Sequence, residues 1–204
     1  MVPERMRSLG QGMARWFSPA AVVAALVLVA VLAAKNQSLQ REVRRLRVQD
    51  KLPHSGLVVP AFRTETLTGD SVTIGSAIPG GRQVLFFFTT TCPYCLQTLP
   101  AWKDLDVRLR HADSTNAQVF GISLDSVEVT ARFVSTHHLA FPVVRFPDAR
   151  TAALYRAVGV PITVVLDHDG VVLYGRAGAL TSSAADSVMA AVREPESESL
   201  IPAV

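Results

Sequence analysis

Cys92 and Cys95 are separated by Pro93 and Tyr94, and the 204-residue chain holds no third cysteine. Two sulfurs at this spacing on a helix lie about one turn apart, close enough for one to attack a mixed disulfide formed at the other. A lone close pair excludes a disulfide scaffold and a four-cysteine zinc site, since each needs further sulfurs. His54, His111, His137, His138 and His168 show no metal-ligand spacing to one another or to the cysteines. They read as surface or hydrogen-bonded side chains, and no metal is expected.

The pair must be positioned by what flanks it. Val84 to Phe88 is a continuous apolar and aromatic run, consistent with a strand buried on both faces. After it, Leu96, Leu99, Trp102, Leu105 and Leu109 recur at helical spacing and predict a helix from Pro93 to about Arg110. Asp104, Asp106, Arg108 and Arg110 fall largely on its other side, and Pro100 predicts a kink. Cys92 then occupies the N-cap region, where free backbone N–H groups and the positive end of the helix dipole favour negative charge on its sulfur. Pro93 suits the first helical position because its ring presets the dihedral and no donor is lost. Cys92 is therefore read as the nucleophile and Cys95 as the resolving thiol. Packing alone would be an unusual reason for Cys-Pro-Tyr-Cys directly after an apolar strand.

A second feature is Gly159-Val160-Pro161 ahead of the apolar run Ile162–Leu166. Proline opening a strand cannot donate to the ladder, and Val-Pro is a bond that tolerates the cis form at a cost of roughly 1 kcal/mol. Pro161 is placed opposite the cysteines, leaving the backbone of Val160 to pair with an extended substrate segment. Pro93 and Tyr94 complete the expected substrate-contacting surface.

Around these residues the elements alternate. Val119 to Leu124 reads as a strand, and Ser126 with Glu128 opens a helix ending near His137. That βαβ unit implies parallel strands. A short strand near Val143-Val144 and a small helix from Thr151 to Val158 follow. Ile162–Leu166 and Val171–Tyr174 then flank Asp167-His168-Asp169-Gly170, whose Asp-Gly signals a hairpin. Ala185, Val188, Met189 and Val192 form the core stripe of a closing helix from Ser182 to Arg193. The expected class is α/β, a mixed sheet covered by helices on both sides.

Every residue from Ala20 to Ala34 is apolar, and Trp16 and Phe17 extend the run toward the 20 or so residues a bilayer requires. We read residues 16–34 as a transmembrane signal-anchor after a basic leader, 1–15. A cleaved signal peptide ending near Val31-Leu32-Ala33 is the rival. Residues 35–56 read as a basic juxtamembrane linker or helix, on which Leu39, Val43 and Leu46 align. Pro53-His54-Ser55-Gly56 ends that helix, 57–193 form the domain, and 194–204 a loose tail rich in Glu, Ser and Pro. Lys35, Arg41, Arg44, Arg45, Arg47 and Lys51 follow the span while Arg5, Arg7 and Arg15 precede it, a count that favours a cytoplasmic domain. A lone cysteine pair behind an anchor instead fits an oxidising compartment, and the extracytoplasmic side is the reading adopted. A net charge of +3, with the basic residues gathered beside the span, gives no nucleic-acid-binding face.

Taken together, several motifs resemble the thioredoxin superfamily, and within it the membrane-anchored TlpA/ResA-like thiol–disulfide oxidoreductases. They are Val59-Pro60-Ala61-Phe62, Phe86-Phe87-Phe88-Thr89 leading to Cys92-Pro93-Tyr94-Cys95, and Pro100. Phe141-Pro142-Val143, Gly159-Val160-Pro161 and Asp167-His168-Asp169-Gly170 complete the set. The resemblance covers about residues 57 to 192. It implies a thioredoxin fold, a cis Pro161, exchange with protein thiols and disulfides, and a redox partner that recycles the dithiol. Such relatives often act as reductases, including in cytochrome c maturation. Thr91 replaces a Trp common before the first cysteine, and Thr98 stands where many ResA-like members carry a Glu. The Pro-Tyr dipeptide is similar to that of glutaredoxins. No haem, flavin or nicotinamide motif is present, and no cofactor is expected.

Two other functions are compatible with the cysteines. A peroxiredoxin-like thiol peroxidase would use Cys92 alone with Thr89 three residues before it, although Leu85 stands where that family places a proline. A copper-binding assembly protein would join both thiolates to a distant histidine, with a wider cysteine spacing than this one.

Overall fold

The computed structural model of the chain describes residues 19–49, 51–112 and 116–193. The leader 1–15, Trp16, Phe17 and the tail 194–204 lie outside the described residues. Two compact units divide between Arg47 and Val48.

The first unit holds almost all of helix α1 (Pro19–Gln49), 31 residues without a break. Ala and Leu favour the helical state, and no glycine occurs after Pro19 to interrupt it. Val22–Arg41, with a mean hydropathy of 1.9, is long and apolar enough to cross a membrane. The stretch carrying Leu39, Val43 and Leu46 is thus a continuation of the same helix as the apolar run.

In the second unit a five-stranded sheet has the order β5-β4-β3-β6-β7. Its strands are β3 (Arg82–Phe88), β4 (Ala117–Ser123), β5 (Val143–Arg145), β6 (Ile162–Leu166) and β7 (Val172–Ala177). β3 runs parallel to β4, and β4 parallel to β5. β6 is antiparallel to both β3 and β7. All seven residues of β3 are buried, as a central strand covered on two faces requires.

Alternation along β3 divides the core in two. Val84, Phe86 and Phe88 pack with residues of α2 (Pro93–Arg110), α3 (Val127–His137) and α5 (Ser182–Arg193). Phe86 stacks on Trp102 with ring centroids 5.0 Å apart, and Phe88 on Phe133 at 5.4 Å. Leu85 and Phe87 face the opposite cluster, which includes Ile74, Phe146 and Tyr155. Each such fully buried large side chain stabilises the fold by roughly 1.5–3 kcal/mol. Sequence periodicity anticipated the extents of α2, α3 and α5 closely, but on α2 Leu96 is exposed and Asp106 is buried, paired there with Arg110 one turn on.

Three local results differ from expectation. First, a hairpin precedes the sheet, formed by β1 (Phe62–Glu65) paired antiparallel with β2 (Ser71–Ile74). The wholly buried amide of Gln83 holds it, accepting from Gly75 N at 2.8 Å and donating to Thr73 O at 2.8 Å and Ser76 O at 3.2 Å. Second, α4 spans Ala149–Leu154 and not Thr151–Val158, because the Asp148 side chain caps it by accepting from Thr151 N at 2.7 Å. The helix stops there, and Arg156 takes a left-handed φ of 52° just beyond. Third, residues ahead of Leu57 already belong to the folded unit. Leu52 packs on the Phe87 cluster, Gly56 N donates to Val172 O at 2.9 Å, and Pro53 O lies so near Gly175 that an added Cβ would approach it to 2.2 Å.

The turn between β6 and β7 is the expected one. Asp167 Oδ1 accepts from Asp169 N at 3.0 Å and Val171 N at 2.8 Å, and Gly170 takes a φ of +80° that only glycine adopts freely.

Candidate active site

The site forms where β3 ends and β6 begins. These strands are antiparallel neighbours with Phe87 opposite Ile162, so the residues just after Phe88 and just before Ile162 emerge at the same end of the sheet. A three-threonine turn, Thr89-Thr90-Thr91, links β3 to α2. Cys92 is the N-cap of α2, with extended backbone (φ −79°, ψ 113°), and Pro93 takes the first helical position.

The Cys92 sulfur accepts from the backbone N–H of Cys95 at 3.1 Å. That amide lies in the first turn of α2 and is shared, donating also to the backbone carbonyl of Cys92 at 3.1 Å. The thiol of Cys92 also lies 3.7 Å from Val160 O, as donor to it. The Val160–Pro161 peptide is cis. Both cysteines are free, Cys92 partly exposed and Cys95 buried.

Cys95 is pushed up to about 12, first by burial and next by its hydrogen bond to the Cys92 sulfur. A backbone hydrogen bond from Thr89 opposes this, while the charges of Cys92 and Asp125 add to it. The two sulfurs thus differ in kind: one meets solvent and a helix N-terminus, and the other is held as a thiol beneath it.

Pro93 and Tyr94 are exposed beside Cys92, and the Tyr94 side chain, 62 % exposed, stands free of the core. Val160 is half-buried and Pro161 buried. The structure therefore gathers Cys92, Cys95, Val160 and Pro161 at one point, with Pro93 and Tyr94 on its rim. Thr98 is fastened elsewhere: its buried hydroxyl accepts from Leu180 N at 2.6 Å, tying α2 to the segment before α5. A cleft of about 350 Å³ at the ends of β4 and β5 is lined by Ser123, Leu124, Arg145 and Asp148 among others, and by neither cysteine. Among the described residues no group of three His, Cys, Asp or Glu side chains could hold a metal ion.

One residue near the site was not anticipated. Asp125 follows β4, and its Oδ2 accepts from Thr90 N at 2.5 Å. A search confined to residues adjoining the cysteines in sequence could not find it; the available signal was an acid just past the C-terminal end of a strand parallel to β3.

With that geometry in place, comparison with known proteins gives a consistent answer. The sequence profile of the AhpC/TSA family matches residues 56–175. The thioredoxin-like protein YneN of Bacillus subtilis is 28% identical over 126 residues, covering 62% of this chain and 73% of YneN. The methylamine utilization protein MauD of Paracoccus denitrificans is 32% identical over 138 residues, 67% of this chain and 64% of MauD, so that the chain spans less than two thirds of that relative. Among solved structures, the thioredoxin domain of a thiol-disulfide oxidoreductase from Bacteroides vulgatus superposes with a TM-score of 0.58 at 18% identity, covering 68% of this chain and 97% of that domain. The chain belongs to the AhpC/TSA family, has a thioredoxin-like fold, and is similar to thiol–disulfide oxidoreductases.

Proposed function

We propose that the chain is a membrane-anchored thiol–disulfide oxidoreductase that exchanges disulfides with extracytoplasmic proteins through Cys92 and Cys95. The observation that carries this is the inequality of the two sulfurs. Cys92 is reachable, capped by the Cys95 amide at 3.1 Å and next to the carbonyl of Val160, whereas Cys95 is buried one turn behind it.

In the reducing direction, the sulfur of Cys92 attacks one sulfur of a substrate disulfide. A bond forms between Cys92 and that sulfur, and the other substrate sulfur leaves and takes a proton. Cys95 then attacks Cys92, closing the Cys92–Cys95 disulfide and releasing the second substrate thiol, which also takes a proton. Two electrons pass from the dithiol to the substrate, and the oxidising direction is the reverse. The backbone of Val160 offers an extended substrate segment a hydrogen-bonding edge, with Pro93 and Tyr94 as flanking contacts. A redox partner would restore the dithiol after each cycle.

Support for the anchor comes from Val22–Arg41, and for an extracytoplasmic site from the use of cysteine as a single exchangeable pair. We assign residues 16–34 to the membrane span, 35–56 to the juxtamembrane segment and 57–193 to the domain core, with Leu52 to Gly56 packed onto it.

The full chain in detergent is expected to reduce insulin in the presence of dithiothreitol, and Cys92→Ala to lose that activity. Undiminished activity of Cys92→Ala would overturn the proposal. Labelling of the cysteines in intact cells by a membrane-impermeant maleimide tests the side of the membrane.

A further inference from the structure

Buried as a thiol, Cys95 must lose its proton before it can attack the mixed disulfide at Cys92, and no acid lies on α2 within a turn of it: the nearest are Asp104 and Asp106, further along the helix. The threonine turn brings an acid to its neighbourhood from another strand. The backbone of Thr89 hydrogen-bonds the Cys95 sulfur, and the next amide, that of Thr90, donates to Asp125 Oδ2 at 2.5 Å. Consecutive residues of one turn therefore hold the thiol and the carboxylate.

Asp125 is itself fixed from a second direction. Its backbone N–H donates to Ser123 Oγ at 3.2 Å, and that hydroxyl is hydrogen-bonded to the buried Thr130 Oγ1 at 2.7 Å. The carboxylate is half-buried, so its interaction with the thiol is weakly screened. The hydroxyl of Thr90 is buried and has no hydrogen-bond partner among the described residues, which leaves a further polar atom on the same turn. The negative charge of Asp125 adds to that of Cys92 in holding the proton on Cys95.

We infer that Asp125, brought to the active site from the end of β4, accepts the proton of Cys95 in the resolving step. This rests on the exchange reaction proposed above. As the Cys95 sulfur bonds to that of Cys92, its proton passes to the Asp125 carboxylate. The substrate sulfur leaves with the electrons of the broken bond and takes the proton from Asp125, directly or through a water, which regenerates the carboxylate. In the reverse direction Asp125 returns the proton to Cys95 as the enzyme disulfide opens.

The reduced full chain in detergent, mixed with Ellman's reagent, separates the two steps. The first thionitrobenzoate released reports attack by Cys92, and the second reports attack by Cys95 on the mixed disulfide. Asp125→Asn keeps an acceptor for Thr90 N but cannot take a proton. It is expected to leave the first phase unchanged and slow the second by roughly 10²-fold. The residual second phase should rise in proportion to hydroxide, whereas the wild-type phase should level off with pH. Asp125→Glu should restore part of the rate.

A second phase in Asp125→Asn with the wild-type rate and pH profile would overturn the inference, as would equal slowing of both phases, which marks a distorted turn. Absence of any first phase in the wild type would instead defeat the exchange reading itself.

Discussion

The amide of Cys95 donates to the sulfur of Cys92 at 3.1 Å, so the residue we propose as resolving thiol caps the proposed nucleophile through its own backbone. Substituting the Cys95 side chain leaves that hydrogen bond in place.

It follows that Cys95→Ala should attack substrates about as well as the wild type and then stall. The expected product is a stable mixed disulfide between Cys92 and a substrate cysteine, visible by non-reducing electrophoresis and mass spectrometry. Rapid release of substrate from Cys95→Ala would contradict the assignment of Cys95 as resolving thiol.

Burial separates the cysteines chemically as well. At about pH 8, iodoacetamide should alkylate Cys92 in the native reduced protein and leave Cys95 untouched until denaturant is added. The sign of the linked stability follows from the shift of Cys95 upward from 9.0 to about 12. Below 9 both folded and unfolded chains hold the proton, and the contribution is complete. Between 9 and 12 only the folded chain retains it, so stability falls as pH rises through that window. Urea midpoints of the reduced wild type should therefore drop across it more steeply than those of Cys95→Ala.

Gln83 is a buried polar side chain whose partners are three backbone groups and the amide of the exposed Gln118. Gln83→Leu leaves Gly75 N, Thr73 O and Ser76 O without that partner, and a loss of about 2–4 kcal/mol is expected in urea denaturation. Because the β1–β2 hairpin is remote from Cys92 in the chain, insulin reduction by the folded fraction should persist.

Thr98 offers a sharper contrast between fastening and chemistry. Thr98→Val removes the acceptor for Leu180 N, buried between α2 and α5, at a cost of about 1–3 kcal/mol. Thr98→Ser should recover most of it. Neither change should alter the pH dependence of the second thionitrobenzoate phase; a change there would give Thr98 a part in proton transfer.

Much of this was legible in the residues. Val84 to Phe88 announced its strand because a centrally buried strand needs no polar face, and Leu99, Trp102, Leu105 and Leu109 announced α2 as its core stripe, although Leu96 ahead of them is exposed. The β1–β2 hairpin was not, since Phe62–Glu65 and Ser71–Ile74 are four residues each and half-exposed, with register set by the amide of Gln83 some ten residues on. α4 was misplaced because Asp148 was not read as its N-cap, and that side chain sets the first turn by accepting from Thr151 N. Asp125 escaped notice for a different reason: the βαβ pattern put β4 parallel to β3, but that the acid just past β4 meets Thr90 N depends on the register between those strands, which spacing along the chain does not encode.

The pairing of Phe87 with Ile162 has one last implication. A slip of a single residue between β3 and β6 would carry Val160 about 3.3 Å along the strand axis and turn its side chains to the opposite face. Alignment of Cys92 with the Val160–Pro161 segment is thus inherited from main-chain rungs, which any residue but proline can supply. Surface side chains around the sulfurs can therefore be exchanged without moving the two segments apart, provided that this one rung is kept in step.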